Sequence, residues 1–215
     1  MLGPQAKNRS LSDRSAAIGC LAETIDGIKS AVTPHTELLL ELFYRALGDN
    51  EAEVQSNACF GVGLLVEHSM VDLSPQYLPL LAALRPLFDV PPNAHRSRWN
   101  AKDNAAGAVA RLIYRNYAAM PLDQVLPVFV AALPLKEDYV ENQAVFRALF
   151  HLFRNAPQSL GPYLDALLPV FGHILDPSGP DQIGDEGRAE LIQLIHFLNM
   201  QEPAKIQAAG LAVYL

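Results

Sequence analysis

The chain has 215 residues, half of them hydrophobic and 18% charged, with a net charge of −7. That is enough apolar material for a substantial core, and no stretch is polar and simple enough to stay unfolded. The acidic balance speaks against a phosphate-backbone partner, which needs a positively charged face. Met1–Ser12 lacks an apolar signal core, and runs such as Leu38–Leu42 and Val125–Leu133 are too short or interrupted to span a bilayer. Neither a nucleic-acid nor a membrane partner is expected.

In chain order, five polar-then-apolar segments align on a shared alanine: Ala17, Ala58, Ala105, Ala144 and Ala189, spaced 41, 47, 39 and 45 residues apart. Those spacings fall in the range of HEAT and armadillo repeats. Each alanine opens an apolar stripe at helical spacing. The stripe reads Cys20, Leu21, Thr24, Ile25 in the first copy, Gly61, Val62, Leu65, Val66 in the second and Ala108, Val109, Leu112, Ile113 in the third. The fourth and fifth copies are less regular, with Arg147, Ala148, His151, Leu152 and with Ile192, Gln193, His196, Phe197. These predict the second, or B, helices of helical hairpins, with small residues letting neighbouring axes approach.

Between them the A helices are predicted at His35–Leu47, Pro75–Phe88, Leu122–Leu133 and Ser159–Leu175. Pro79, Pro86, Pro127 and Pro169 fall within that pattern and predict bent or shortened helices. The fold class is all-α: a right-handed superhelical HEAT-repeat solenoid of about five hairpins. It is read as one domain over 1–215, with units 10–31 (a B helix alone), 34–70, 73–117, 121–156 and 159–200 and a short terminal helix over 202–214. Ser12–Lys29 is a B helix without its A helix, because Met1–Asn8 is too short and polar to supply one, which suggests an excised fragment. Val90–Asn100 and Pro177–Gly184 are predicted as insertions projecting from one edge.

Cys20 and Cys59 sit in apolar stripes and are expected to be buried and reduced. The six histidines have no metal-ligand spacing, and His151 and His196 are expected to face the hairpin interior, partly buried. No nucleophile motif or phosphate-binding glycine loop is present. The residues point to a binding scaffold with no catalytic activity, metal or cofactor.

The run Trp99-Asn100-Ala101-Lys102-Asp103-Asn104-Ala105-Ala106-Gly107-Ala108-Val109-Ala110-Arg111-Leu112-Ile113 resembles C-terminal HEAT repeats of the importin-beta superfamily, the beta-karyopherin nuclear transport receptors. Val54–Gly63, Tyr139–Phe146 and Leu164–Phe171 support the likeness, which covers about residues 10–200 and is nearest to the importin-four type that imports histones and ribosomal proteins. The resemblance implies a segment of about the last five repeats of an import receptor found in cytoplasm and nucleus. It implies basic protein cargo on the B helices and phenylalanine-glycine nucleoporins on the outer helices. Ran-GTP would bind mainly to N-terminal repeats absent from this chain. The alternative is a HEAT scaffold outside transport, meeting its partner through an apolar edge.

If B helices line the cargo face, candidate cargo residues are Asp13, Glu23, Asp26, Glu53, Glu67, Asp103, Glu137, Asp138, Glu141, Asp185, Glu186 and Glu190. Helix-terminal capping accounts for such acids equally well. Asn57 and Asn104, each just before the shared alanine, fit either a clamp on a peptide backbone or a ladder between repeats. His95, Arg96, Arg98, Trp99 and Lys102 form one compact basic patch, read as a solvated loop with Trp99 tucked against the solenoid, or as one that binds an acidic partner or folds onto the acidic face.

Overall fold

In the computed structural model, which describes residues 10–215, helices follow one another along the chain and no strand occurs among the described residues. The B-layer helices are α1 (Leu11–Ile28), α3 (Ala52–His68), α5 (Arg96–Asn116), α7 (Asn142–Asn155) and α10 (Gly184–Gln201). Between them run α2 (Thr36–Leu47), α4 (Tyr77–Leu84), α6 (Leu122–Val130), and the pair α8 (Pro157–Leu160) and α9 (Leu164–Leu175). α11 (Pro203–Ala208) follows, and Gly210 at φ 72° turns the chain into a last 3-10 segment, Leu211–Tyr214. Successive B helices pack in order, α1 on α3, α3 on α5, α5 on α7 and α7 on α10, so the hairpins stack as a solenoid.

The shared-alanine stripe of the second and third copies is buried throughout, from Ala58 to Val66 and from Ala105 to Ile113. α3 and α5 approach most closely because Gly63 lies where a Cβ would stand 3.3 Å from the Ala108 Cα. At Gly61 a Cβ would enter the Phe43 ring, so the missing side chain there admits an A-helix aromatic. Phe171 of α9 packs between Phe146 and Phe153 of α7, at centroid distances of 6.1 and 6.4 Å.

The outer copies depart from the stripe. Ala17, Cys20, Ala189 and His196 are exposed, and Ala22, Ile25, Leu191, Ile195 and Leu198 are the residues that α1 and α10 bury. Each of these two helices has a B-helix neighbour on one side among the described residues, so only part of its stripe meets a partner. Cys59 is buried as expected and burial pushes its thiol up; Cys20 is not buried, and neither cysteine is bridged. His151 is half-buried against Tyr114 and Tyr117, at 5.3 and 5.5 Å, whereas His196 faces solvent.

The prolines resolve into two kinds. Pro79 is in the first turn of α4, where its missing N–H has no intrahelical partner, and Pro86 lies in the 3-10 segment Arg85–Phe88, where the α4 ladder stops. Pro127 and Pro169 each occupy the sixth position of their helix, on its exposed side. The carbonyls they leave unpaired belong to Asp123 and Asp165, also exposed, where water can serve them. The first A helix matches its prediction to one residue, the second and third end early at Leu84 and Val130, and the fourth is broken at Gly161–Tyr163.

Two predicted insertions are also revised. Pro91 and Pro92 hold the chain out of helix, but the His95 ring then accepts the Ser97 N–H at 3.3 Å and α5 begins at Arg96. The basic patch is therefore mostly helix, not loop. The 177–184 segment folds inward at its end, burying Gln182 and Ile183, and Asn142 donates to the Gln182 side-chain carbonyl at 2.6 Å. The expectation that Met1–Asn8 supplies no A helix falls on residues 1–9, which lie outside the described residues.

Candidate functional site

A groove of about 620 Å³ runs across the B layer, lined by α1, α3, the first turns of α5 and the turn leading into α7. Its carboxylates are Glu23, Glu53, Asp138 and Glu141, and its amides Asn57, Asn100 and Asn104; Arg96 is its one arginine. Glu23 and Glu53 are exposed and form no ion pair among the described residues. They stand on different helices, and both are available to a positively charged ligand.

Under the groove the helices are joined by a polar ladder. Asn57 donates to the Ser15 carbonyl at 2.9 Å, tying α3 to α1. Ser56 donates to Asn100 at 2.7 Å, and Asn104 donates to Ser56 at 3.1 Å and to Asp138 at 2.9 Å, tying α3 to α5 and to the turn beyond. Asp103, buried on α5, accepts the N–H groups of Lys136, Glu137 and Asp138 on one oxygen at 2.9, 2.6 and 3.0 Å. Burial nonetheless outweighs these bonds and holds its carboxyl above the ordinary aspartate range. The Asp103-anchored turn thus sets the direction of three charged side chains.

A second charged system lies deeper. Arg111 of α5, buried in the run Ala108–Ile113, donates to Glu67 of α3 at 2.9 Å and grips the buried Glu141 through both terminal nitrogens. Arg147 of α7 pairs with the other Glu67 oxygen at 2.7 Å and stacks over Tyr114 at 4.4 Å. Two acids and two arginines form a neutral chain across three hairpins, as buried charges require. Gly107 makes this possible, since a Cβ there would fall on the Glu141 carboxylate.

The remaining candidates are dispersed. Asp26 pairs with Lys29 at 2.5 Å and lies 3.4 Å from the His68 ring. Glu137 meets Arg96 at 3.3 Å. Asp185 and Glu186, exposed on the first turn of α10, line a separate pocket of about 550 Å³ with Arg147, Arg154 and Glu190, where Arg154 pairs with Glu190. Asp13 stands in the first turn of α1, where the N-cap Ser10 hydroxyl accepts its backbone N–H at 3.2 Å. Arg111 and Arg147 are functional to the architecture but absent from the predicted site. Their signal was an arginine within a largely apolar helical run, at a stripe position for Arg147 and beside the stripe for Arg111, which demands a buried acid without saying which.

Glu67 supplies a pH test. Burial raises its carboxyl, but Arg147 and then Arg111 more than offset this and hold it below the ordinary value of 4.5. A depressed carboxylate contributes stability that is present above its unfolded value and lost as pH falls through the folded one. Glu67→Gln is expected to cost about 2 kcal/mol at neutral pH, and the gap to wild type should shrink as denaturation midpoints are taken at pH values below 4.5. A gap that widens on acidification would contradict the assignment.

Among the described residues no group of three His, Cys, Asp or Glu side chains gathers to hold a metal, and no helix is long and apolar enough to cross a membrane. No family model matches the chain. It is 42% identical over 184 residues, 86% of its length, to a "Probable importin subunit beta-4" of Schizosaccharomyces pombe. It is 32% identical to an "Importin-4" of Homo sapiens and 30% identical to one of Mus musculus, over 93% of its length in each case. The chain spans 17 to 18% of the length of these curated relatives. With stacked helical hairpins and this likeness along nearly the whole sequence, the chain belongs to the importin-beta (karyopherin) superfamily of HEAT-repeat solenoids.

Proposed function

We propose that this chain is a C-terminal segment of a nuclear import receptor of the importin-four type, moving between cytoplasm and nucleus, and that it holds basic protein cargo along the B-layer groove. The observation that carries the reading is the pair Glu23 and Glu53, unpaired and exposed over one groove in a chain of net charge −7. A lysine- or arginine-rich segment such as histones and ribosomal proteins carry is complementary to it. Asp103, Glu141 and Glu67 act beneath this surface, holding the helices that present it, while Asp185 and Glu186 extend the acidic face onto α10. The importin names of the relatives support the transport role.

An apolar groove of about 260 Å³ between α4 and α6, lined by Leu78, Leu81, Val125, Val128 and Phe129, fits a phenylalanine-glycine nucleoporin segment on the outer layer. Ran-GTP acts, in this reading, on repeats elsewhere in the receptor. The segment binds cargo without switching by itself.

The test is titration of a fluorescent lysine-rich peptide into the chain and into Glu23→Lys/Glu53→Lys. The double reversal should weaken binding by about tenfold or more, and wild-type affinity should fall steeply with salt. Affinity that ignores both the reversal and the salt would favour the alternative, a HEAT scaffold joined to its partner through the apolar groove.

A further inference from the structure

The first turns of α5 have a second face. Arg96, Asn100 and Asn104 line the acidic groove, and at 3.6 residues per turn Arg98 and Lys102 fall on the opposite side of the helix with Trp99 beside them. The Asp103-anchored turn brings Lys136 to the same place. Its ammonium lies 3.7 Å from the centroid of the Trp99 ring, and that of Lys102 lies 5.4 Å from it.

Charge accounting sets this cluster apart. Nine of the described arginines and lysines pair with a carboxylate, and Arg115 and Arg188 bond to backbone carbonyls. Among the described residues Arg98, Lys102 and Lys136 have neither kind of partner. The nearby acids are committed elsewhere: Asp89 to Arg85 at 2.8 Å, and Asp103 to the N–H groups of the turn. Burial, then repulsion from Lys136, lowers the Lys102 ammonium below its ordinary value, which an incoming carboxylate would reverse.

We infer that Arg98, Trp99, Lys102 and Lys136 form a docking surface for an acidic peptide, a short run of aspartate and glutamate on a partner protein, seated on the side of α5 away from the basic-cargo groove. Two lysines over an aromatic ring, with Arg98 on the same side of the helix and none of the three paired with a carboxylate among the described residues, are complementary to a few carboxylates. A long polyanion is disfavoured, because Asp89 flanks the patch and Glu137 and Asp138 follow Lys136 on the same turn. The inference does not depend on cargo binding in the groove.

Trp99 is the sole tryptophan of the chain, so its emission reports this patch alone. Titrating an unlabelled peptide of alternating aspartate and glutamate at low ionic strength should produce a saturable change in that emission. Lys102→Glu/Lys136→Glu should weaken the response by about tenfold or more, Lys102→Gln/Lys136→Gln by less, with unchanged far-UV circular dichroism in both. Glu23→Lys/Glu53→Lys should leave it intact, which separates this result from that of the groove. No saturable change, an undiminished response in the charge-reversed variant, or an oligonucleotide that binds as tightly as the peptide would each overturn the proposal.

Discussion

Replacing Arg111 by methionine is expected to lower folding stability by about 3–5 kcal/mol, read as a fall in the urea midpoint by circular dichroism. Methionine roughly fills the volume, so packing is not the main loss. The loss is electrostatic: Glu141, 1% exposed and raised by burial even beside Arg111, loses its counter-charge and must either stay an unpaired carboxylate or take up a proton, and Glu67 retains only Arg147. The companion variant makes the cause visible. Arg111→Met combined with Glu141→Gln removes the orphaned charge and should regain more than half of the loss, because an amide is far less costly to bury than an unpaired carboxylate. A single variant within about 1 kcal/mol of wild type, the size of an exposed pair, would show that the chain of charges does not bind the hairpins together.

Gly107→Ala should be nearly as damaging, although it adds one methyl group and improves intrinsic helix propensity by about 1 kcal/mol. The new Cβ would take the space of the Glu141 carboxylate and crowd the Arg111 guanidinium at 3.0 Å, so either the pair separates or α5 moves from the turn carrying Glu141. We expect a net loss of about 3 kcal/mol, at the upper end of what overpacking costs. In a Glu141→Ser background the clash partner is gone, and the same substitution should cost much less. That non-additivity is the measurement that assigns the effect. Equal losses in the two backgrounds would place the strain elsewhere on α5.

Much of the architecture was legible in the order of residues, and the reasons for the failures are physical. The alanine register placed all five B helices because spacing of three and four is imposed by the backbone. It misjudged Cys20 and His196 because periodicity identifies an apolar stripe without saying how much of it a neighbour covers. Pro79 and Pro86 read as helix interior because cost depends on position within the turn, which shifts by a residue or two at every helix end. The candidate acids fared similarly. Glu23, Glu53, Asp138 and Glu141 converge on one groove, but nothing in their spacing distinguishes the exposed Glu53 from the buried Glu141. That distinction comes from Arg111, whose partners lie 44 and 30 residues away.

The polar ladder beneath the groove also gives the solenoid an uneven stiffness. From α1 to the turn before α7, side-chain bonds cross every joint, and α3 and α5 lie against each other over a long stretch. α7 and α10 touch over a shorter one, reinforced at Asn142 and Gln182 and by the more exposed Arg154–Glu190 pair. A bending load spread along the molecule would therefore concentrate at that last joint. The acidic groove would ride as a rigid plate while Asp185 and Glu186 swing with α10, so the span between the two acidic patches can adjust to ligands of different length.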